Sequence, residues 1–386
     1  MFAIDIQDQI LDKLNTLIVV LSKNGTIEYV SKSAQQLLGY NPQDLLGNAW
    51  WEVIRFSKPE GEEVKHKILS SFKNPSITSQ SFENKLRTSA GGTKWVRWNV
   101  SYLNQEQLIG IGYDITDNKL NEKRLIDNNK QLLEQNKDIT DSIYYAKRIQ
   151  QSILQTQEQL RTHFENSFLL YKPKDIVSGD YYWFYEDKSY KYIAAIDCTG
   201  HGVPGAMMSM VANSMFKEVF INRNISNPSD ILSALDEELE KSINKNQDAS
   251  FNDGMDVSLI RINKINHELA FAGAFRSILI SRGHEIIELK GSRYPIGFYS
   301  GIEKQFDTQF FSLQKNDSVY LYTDGFIDQF GGEKNKKLNK SNFKDLIGTI
   351  QDMEMNEQEA FLDYSFNNWK QNNDQTDDVL VIGIKI

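Results

Sequence analysis

From Asn118 to Leu160 the chain contains neither glycine nor proline, and Leu125, Leu132, Ile139, Ala146, Ile153 and Leu160 recur at a spacing of seven. No other feature restricts the fold as much. An apolar repeat of seven kept this long is the mark of a left-handed coiled coil, because 3.5 residues per turn hold one seam against a partner helix. The second seam carries Asn129 and Asn136 before improving at Ile143. Seam asparagines lower stability but favour one register and two strands. The spacing predicts a parallel dimeric helix over residues 119–164, about 60 Å long at the helical rise. A single long surface helix is the plainer alternative. Either way, an N-terminal part (1–118) is set off from a C-terminal one (165–386).

The totals narrow the class of function. A chain of 386 residues with 40% hydrophobic and 11% aromatic content has enough apolar material for two or three cores. Its net charge of −9 argues against a nucleic-acid partner, which would want a basic surface. One cysteine excludes an internal disulfide and fits a reducing compartment. The first ten residues, MFAIDIQDQI, lack the basic region and apolar core of a signal peptide. No run reaches the ~18 apolar residues of a membrane span. The expectation is a soluble, cytoplasmic, multidomain protein with no membrane contact.

In the N-terminal part, Leu17–Leu21 and Thr26–Val30 read as strands around Asn24-Gly25, a pair suited to a tight hairpin. A short helix over Ser33–Leu38 ends at Gly39. Strands follow at Phe82–Thr88, Lys94–Tyr102 and Leu108–Asp114, describing a small α+β domain. These segments, with "GTIEYVSKSAQQLLGY", "DLLGNAWWEVI", "GGTKWVRWNV" and "IGIGYDITDNKL", resemble a PAS sensor domain. The resemblance implies signal sensing or dimerisation and names no ligand. His66 is readable as a haem ligand, but in EEVKHKIL it is more simply a solvated helix residue. A photochemical flavin-binding variant would need a cysteine in this part, and the one cysteine is Cys198.

Strands and local turns dominate the C-terminal part. Tyr181–Tyr185 and Tyr190–Ile196 flank a turn, as do Val257–Ile262 with Leu269–Ala274 and Ser277–Ser281 with Glu285–Leu289. Strands at Phe306–Leu313, Ser318–Tyr322 and Val379–Ile386 follow. Paired helices, 206–220 with 229–244 and 341–351 with 356–370, lie between them. That order implies antiparallel sheets covered by helices rather than βαβ units. Four aspartates share one setting: Asp180 opens YYWFY, Asp197 ends YIAAI, Asp324 ends VYLYT, and Asp377 (with Asp378) opens VLVIGI. Aspartate is common in turns and caps. Four at the ends of apolar strands are another matter, because a rigid sheet can bring them together. Unrelieved, they would repel, and divalent cations remove that repulsion. Oxygen-only ligation favours Mg²⁺ or Mn²⁺ over zinc.

The segments "DIVSGDYYWF", "AAIDCTGHGVPGAMMSM", "YPIGFY", "VYLYTDGFIDQFGG" and "QTDDVLVIGIKI" resemble the SpoIIE-type branch of the metal-dependent serine/threonine protein phosphatases. The resemblance implies an αββα sandwich with two Mn²⁺ or Mg²⁺ ions at one end. It implies Asp180, Asp197 (as the bridge), Asp324 and Asp377 as ligands, with a backbone carbonyl of Cys198 or Gly200 and with Asp378 as a neighbour. It makes His201 a candidate proton donor to the leaving group, against a plainer role as a loop residue bonded to backbone. Two such ions acidify a water for in-line attack on a phosphate monoester. A cysteine phosphatase would need an arginine six residues after its nucleophile, and Pro204 stands there, so Cys198 is a packed bystander.

Two departures stand out. Ser178 replaces the commoner first glycine of Gly-Gly-Asp. The phosphate-binding arginine of eukaryotic members has no clear counterpart, with Lys172 and Lys174 the nearest substitutes. Asp253 and Asp256 in "NDGMDVSL" are candidates for a third ion. The expected function is a signal-regulated phosphoprotein phosphatase, a homodimer through its coiled coil. Its implied substrate is phosphoserine or phosphothreonine on an anti-sigma-factor antagonist or a similar bacterial regulator. The alternatives are a catalytically silent scaffold acting by partner binding and a sensor histidine kinase. No kinase-like ATP-binding pattern is present.

Overall fold

The computed structural model describes residues 16–71, 73, 78–223, 225–243, 253–297 and 303–386. The start of the chain and the end of YPIGFY lie outside them. The chain forms two units, 1–136 and 137–386.

In the first unit, β1 (Thr16–Ser22) and β2 (Ile27–Val30) form the expected hairpin, with Gly25 at φ 77° in its turn. Then come α1 (Ser33–Leu38), α2 (Ala49–Val53) and α3 (Lys58–Ser71). Three strands close the sheet: β3 (Ser79–Arg87), β4 (Thr93–Tyr102) and β5 (Gln107–Asp114). The antiparallel order is β2-β1-β5-β4-β3. One sheet face and the helices bury Leu17, Val19, Trp50, Trp51, Leu86 and Trp98. Trp50 meets Trp98 edge to face at 5.9 Å, the arrangement that aromatic quadrupoles favour.

The connector departs from the expected single rod. Helix α4 (Thr116–Ile153) stops, and a separate α5 (Gln157–His163) begins behind a capping box in which Thr156 and Gln159 satisfy each other's backbone amides. Leu160, the last residue of the seven-spaced series, is 1% exposed in the core of the second unit. It belongs to that core and to no helical seam.

The second unit starts with β6 (Ser167–Lys172), β7 (Asp180–Glu186) and β8 (Tyr190–Cys198). Two helices follow, α6 (Gly202–Lys217) and α7 (Pro228–Ile243). The strands β9 (Met255–Asn263), β10 (Glu268–Ala274), β11 (Ile278–Arg282), β12 (Glu285–Leu289), β13 (Gln309–Ser312) and β14 (Ser318–Tyr322) come next. The chain ends with α8 (Gly325–Asp328), a small β15/β16 pair (Phe330–Gly331, Lys336–Lys337), α9 (Asn339–Ile350), α10 (Met355–Lys370) and β17 (Val379–Lys385). The strand expected over Phe306–Leu313 is confined to β13.

Two five-stranded antiparallel sheets result, β13-β10-β9-β8-β7 and β12-β11-β14-β17-β6. Alternation along each strand assigns its side chains to layers. Tyr182, Phe184, Ile193, Ala195, Ile260, Phe271, Ile280, Leu321 and Ile382 fill the space between the sheets. Tyr181, Trp183, Tyr192, Ile196 and Leu259 pack outward with Phe216, Leu232 and Leu235 of α6 and α7. Phe168, Tyr320, Tyr322 and Val381 pack outward with Phe343, Ile347 and Phe366 of α9 and α10. This is the αββα sandwich. Removing one central ring, as in Phe271→Ala, costs about 3–5 kcal/mol by loss of burial and the void left behind.

Candidate active site

The layer rule that builds the core also places the acids. On β7, β8 and β9 the residues facing the second sheet are alternate ones, and at one end of the sandwich that series reaches Asp180, Asp197 and Asp256. They stand in register: Asp180 pairs with Asp197 across β7/β8, and Asp197 with Asp256 across β8/β9. Directly opposed like charges destabilise a sheet, so the row exists against local preference. From the second sheet, Thr323 follows β14 and donates its hydroxyl to Asp180 Oδ2 at 2.7 Å. Asp324 comes next in the chain, at the N-terminal end of α8.

Burial is the main force on these carboxyls. Asp180 is 2% exposed, and its pKa is driven well above the usual carboxylate range, first by desolvation and then by the Asp197 charge. Asp197 is raised by burial, against the opposing pull of Arg276. Asp256 is pushed up to about 6 by burial, again with Arg276 opposing. Asp377 is raised too, chiefly by burial, and also by the charge of Asp324.

The centre of the cluster is a residue that the sequence did not single out. Arg276 Nη2 lies 2.5 Å from Asp197 Oδ2, 3.0 Å from Asp256 Oδ2 and 2.8 Å from Asp324 Oδ2. Burial alone would lower the guanidinium pKa, but the three aspartates more than reverse this. Among the described residues, no three His, Cys, Asp or Glu side chains stand close enough to enclose an ion as they lie; Arg276 takes the position the carboxylates share. One basic residue inside the apolar run LAFAGAFRSILI is the signal that would have found it.

Glycines let the backbone close around this site. Neither Gly179 nor Gly205 has room for a Cβ, because the Gly200 carbonyl oxygen fills that space, and Gly200 itself turns at φ 83°. Ser178, the departure from Gly-Gly-Asp, accepts the Asp180 amide on its Oγ at 3.1 Å. Gln150 near the end of α4 reaches the same loop: its Nε2 donates to the Ser178 carbonyl at 2.7 Å and to Ser209 Oγ of α6 at 2.9 Å.

The other candidates divide. Asp197, Cys198, Gly200, Asp256 and Asp324 line one cavity of about 320 Å³ with Arg276 and Arg293. Asp378 does not line it: its two oxygens accept the Lys174 and Gly179 amides, each at 2.7 Å. Cys198 is buried, and its thiol is held neutral by that burial and by the negative charge of Asp197 and Asp180, which removes its nucleophilicity. His201 lies outside the cavity lining and points Nδ1 at Asp175 Oδ2, 2.7 Å away. Lys172 turns to Asp363 and Asn367, and Asp253 is not part of the lining.

Comparison with known proteins gives this arrangement its relatives. The profile of the family Stage II sporulation protein E (SpoIIE) matches residues 188–386, and a PAS domain profile matches 15–117. Phosphoserine phosphatase RsbU of Bacillus subtilis is 28% identical over 196 residues, 50% of this chain and 55% of the relative. The chain thus spans about half the length of that curated relative. The SiaA-PP2C domain of Pseudomonas aeruginosa superposes with a TM-score of 0.60 at 31% identity, covering 65% of this chain and 98% of that one. With the profile spanning β8 to β17 and the sandwich in place, the chain belongs to the SpoIIE family and carries a PAS domain ahead of it.

Proposed function

We propose that the chain is a metal-dependent phosphoprotein phosphatase acting on phosphoserine or phosphothreonine. One observation carries the reading: Asp180, Asp197 and Asp256 stand in register on neighbouring strands, and two of them, Asp197 and Asp256, line a cavity that Asp324 joins from the opposite sheet. Their acceptors far outnumber the two protons of Arg276 Nη2, an excess that hard divalent cations satisfy. Asp180, Asp197, Asp324 and Asp377, with the Cys198 or Gly200 carbonyl, are the residues that would hold Mn²⁺ or Mg²⁺. Bound there, the ions supply Lewis acidity, acidifying water and neutralising phosphoryl charge.

The chain's own groups do the rest. Thr323 orients Asp180, and Ser178 and Asp378 fix the loop before it. We assign His201, which lies outside the cavity lining with Nδ1 tied to Asp175, the proton for the departing alkoxide, carried on Nε2. The PAS unit supplies regulation, the helix joins two copies, and the compartment is cytoplasmic. The likeness to phosphoserine phosphatase RsbU supports phosphoserine as the group attacked, and a regulatory phosphoprotein of the anti-sigma-factor-antagonist type is the substrate we assign to it.

A catalytically silent scaffold is the competing reading, favoured by the guanidinium within the acidic cluster. Hydrolysis of p-nitrophenyl phosphate with Mn²⁺ separates the two. The expected result is turnover that chelator abolishes and that Asp324→Asn lowers at least a hundredfold. A wild type inactive with both Mn²⁺ and Mg²⁺, or an Asp324→Asn variant as active as wild type, ends the phosphatase reading.

A further inference from the structure

We propose that Arg276 grips the phosphoryl group of the substrate, and that before cations bind the same guanidinium stands in for them among the aspartates. The inference rests on the phosphatase reading above. It answers the missing phosphate-binding arginine: the two lysines nearest that position in sequence, Lys172 and Lys174, do not line the cavity, whereas Arg276 does.

The first support is stoichiometry. All three ion pairs of Arg276 fall on Nη2. That nitrogen carries two protons, which it donates to Asp197 Oδ2 and Asp324 Oδ2. Asp256 Oδ2, at 3.0 Å, is held by charge alone, and better cation partners for the three carboxylates would release the guanidinium.

The second support is an unmet donor. Arg276 Nε is buried and has no acceptor among the described residues, and its side chain is only 13% exposed. Buried donors are almost always paired, so an orphan at the edge of a ligand-sized cavity marks a place for an acceptor. A phosphoryl group brings several oxygens, and guanidinium binds such oxygens two at a time through adjacent N–H groups. A carboxylate already shared by Nη2 does not reach Nε.

The third support is mechanical. The Arg276 carbonyl oxygen is wedged where neither Gly273 nor Gly291 has room for a Cβ. Its amide donates to Ala274 at 2.8 Å, and Phe275 before it holds φ 63°. The Phe275 amide is tied to Ser292 at 3.0 Å. The backbone is therefore fixed, and the guanidinium changes partners by side-chain torsions alone. Arg293, the other cation of the cavity lining, is exposed and already donates to Tyr294.

The test uses the full chain and Arg276→Ala and Arg276→Lys variants. Calorimetric titration with Mn²⁺, without substrate, is expected to show Arg276→Ala binding the ion at least threefold tighter than wild type, since a competing cation is gone. Titration of the Mn²⁺-loaded proteins with inorganic phosphate is expected to show at least tenfold weaker binding in Arg276→Ala. Arg276→Lys, which keeps the charge and loses the fork, should fall between. Unchanged phosphate affinity overturns the gripping role, and unchanged Mn²⁺ affinity overturns the stand-in role. If Arg276→Ala does not fold, Arg276→Lys decides by the same two measurements. Neither titration needs turnover. A wild type that binds both ligands without hydrolysing p-nitrophenyl phosphate sinks the phosphatase reading and leaves Arg276 judged on its own; one that binds no Mn²⁺ sinks both.

Discussion

Neighbouring residues with one chemistry can have opposite jobs, and Asp377 and Asp378 show it. Asp378 is 3% exposed and spends both oxygens on backbone amides that shape the loop leading into Asp180. Asp377 accepts the Asp378 amide at 2.8 Å, and its carboxyl is raised by burial and by the charge of Asp324. Asp378→Asn puts an N–H donor where one amide needs an acceptor, at a cost of about 1–3 kcal/mol. In chelator, its melting temperature should fall by several degrees. Asp377→Asn removes one charge from a crowded cluster, so in chelator it should melt no lower than wild type while losing Mn²⁺-dependent turnover. Equal melting temperatures for wild type and Asp378→Asn would refute the structural role assigned to Asp378. A sequence cannot separate two adjacent aspartates before a strand. The separation comes from the Lys174 and Gly179 amides, in a loop 204 and 199 residues away in the chain, which reach Asp378.

At the scale of elements, legibility followed the range of the physics. Hairpins, helical pairs and strand-end aspartates rest on local alternation and turn chemistry, and these were readable. The break between α4 and α5 was also local: Thr156 and Gln159 form a capping-box pair. It was masked because Leu160 happens to extend the seven-residue series. Asp256 was readable only as one of two aspartates around Gly254, because only the pairing of β9 with β8 selects it. Arg276 needed the contacts of two strands, β8 and β9, and of the turn that opens α8.

How α9 is attached to its sheet gives a pH prediction. Glu288 of β12 pairs with Lys340 and, at 2.7 Å, with Lys344 of α9. Burial would raise its pKa, but the two lysines outweigh that and bring it to about 2, from 4.5. A carboxyl depressed on folding adds stability above its unfolded value, which is lost as the pH falls through the folded one. Both lysines are substantially exposed, so solvent screening limits the effect to about 1 kcal/mol. Glu288→Gln should therefore lower the urea midpoint at pH 7, with the gap to wild type narrowing as the pH drops from about 4.5. A gap that stays constant down to pH 3.5 would show that the ion pairs contribute nothing.

For the molecule as a whole, the unanswered feature is the seam of α4. Leu125, Leu132 and Ile139 are 63%, 54% and 58% exposed at a spacing of seven. Among the described residues no helix is long and apolar enough to cross a membrane, so a bilayer-spanning role for these side chains is not what the helix offers. A second copy of the same helix would cover a seven-spaced stripe along its length, and burying a leucine of this kind stabilises by roughly 1.5–3 kcal/mol. In a parallel pair in register, each Leu132 meets the other Leu132, close enough for a disulfide if both are cysteine. The native Cys198 is buried and does not compete. Leu132→Cys should therefore give a covalent dimer under mild oxidation, while Glu134→Cys, on the far side of the helix, should crosslink at least tenfold more slowly. Equal rates at the two positions would mean random collision. No dimer at Leu132→Cys would mean that the stripe meets something other than its own copy.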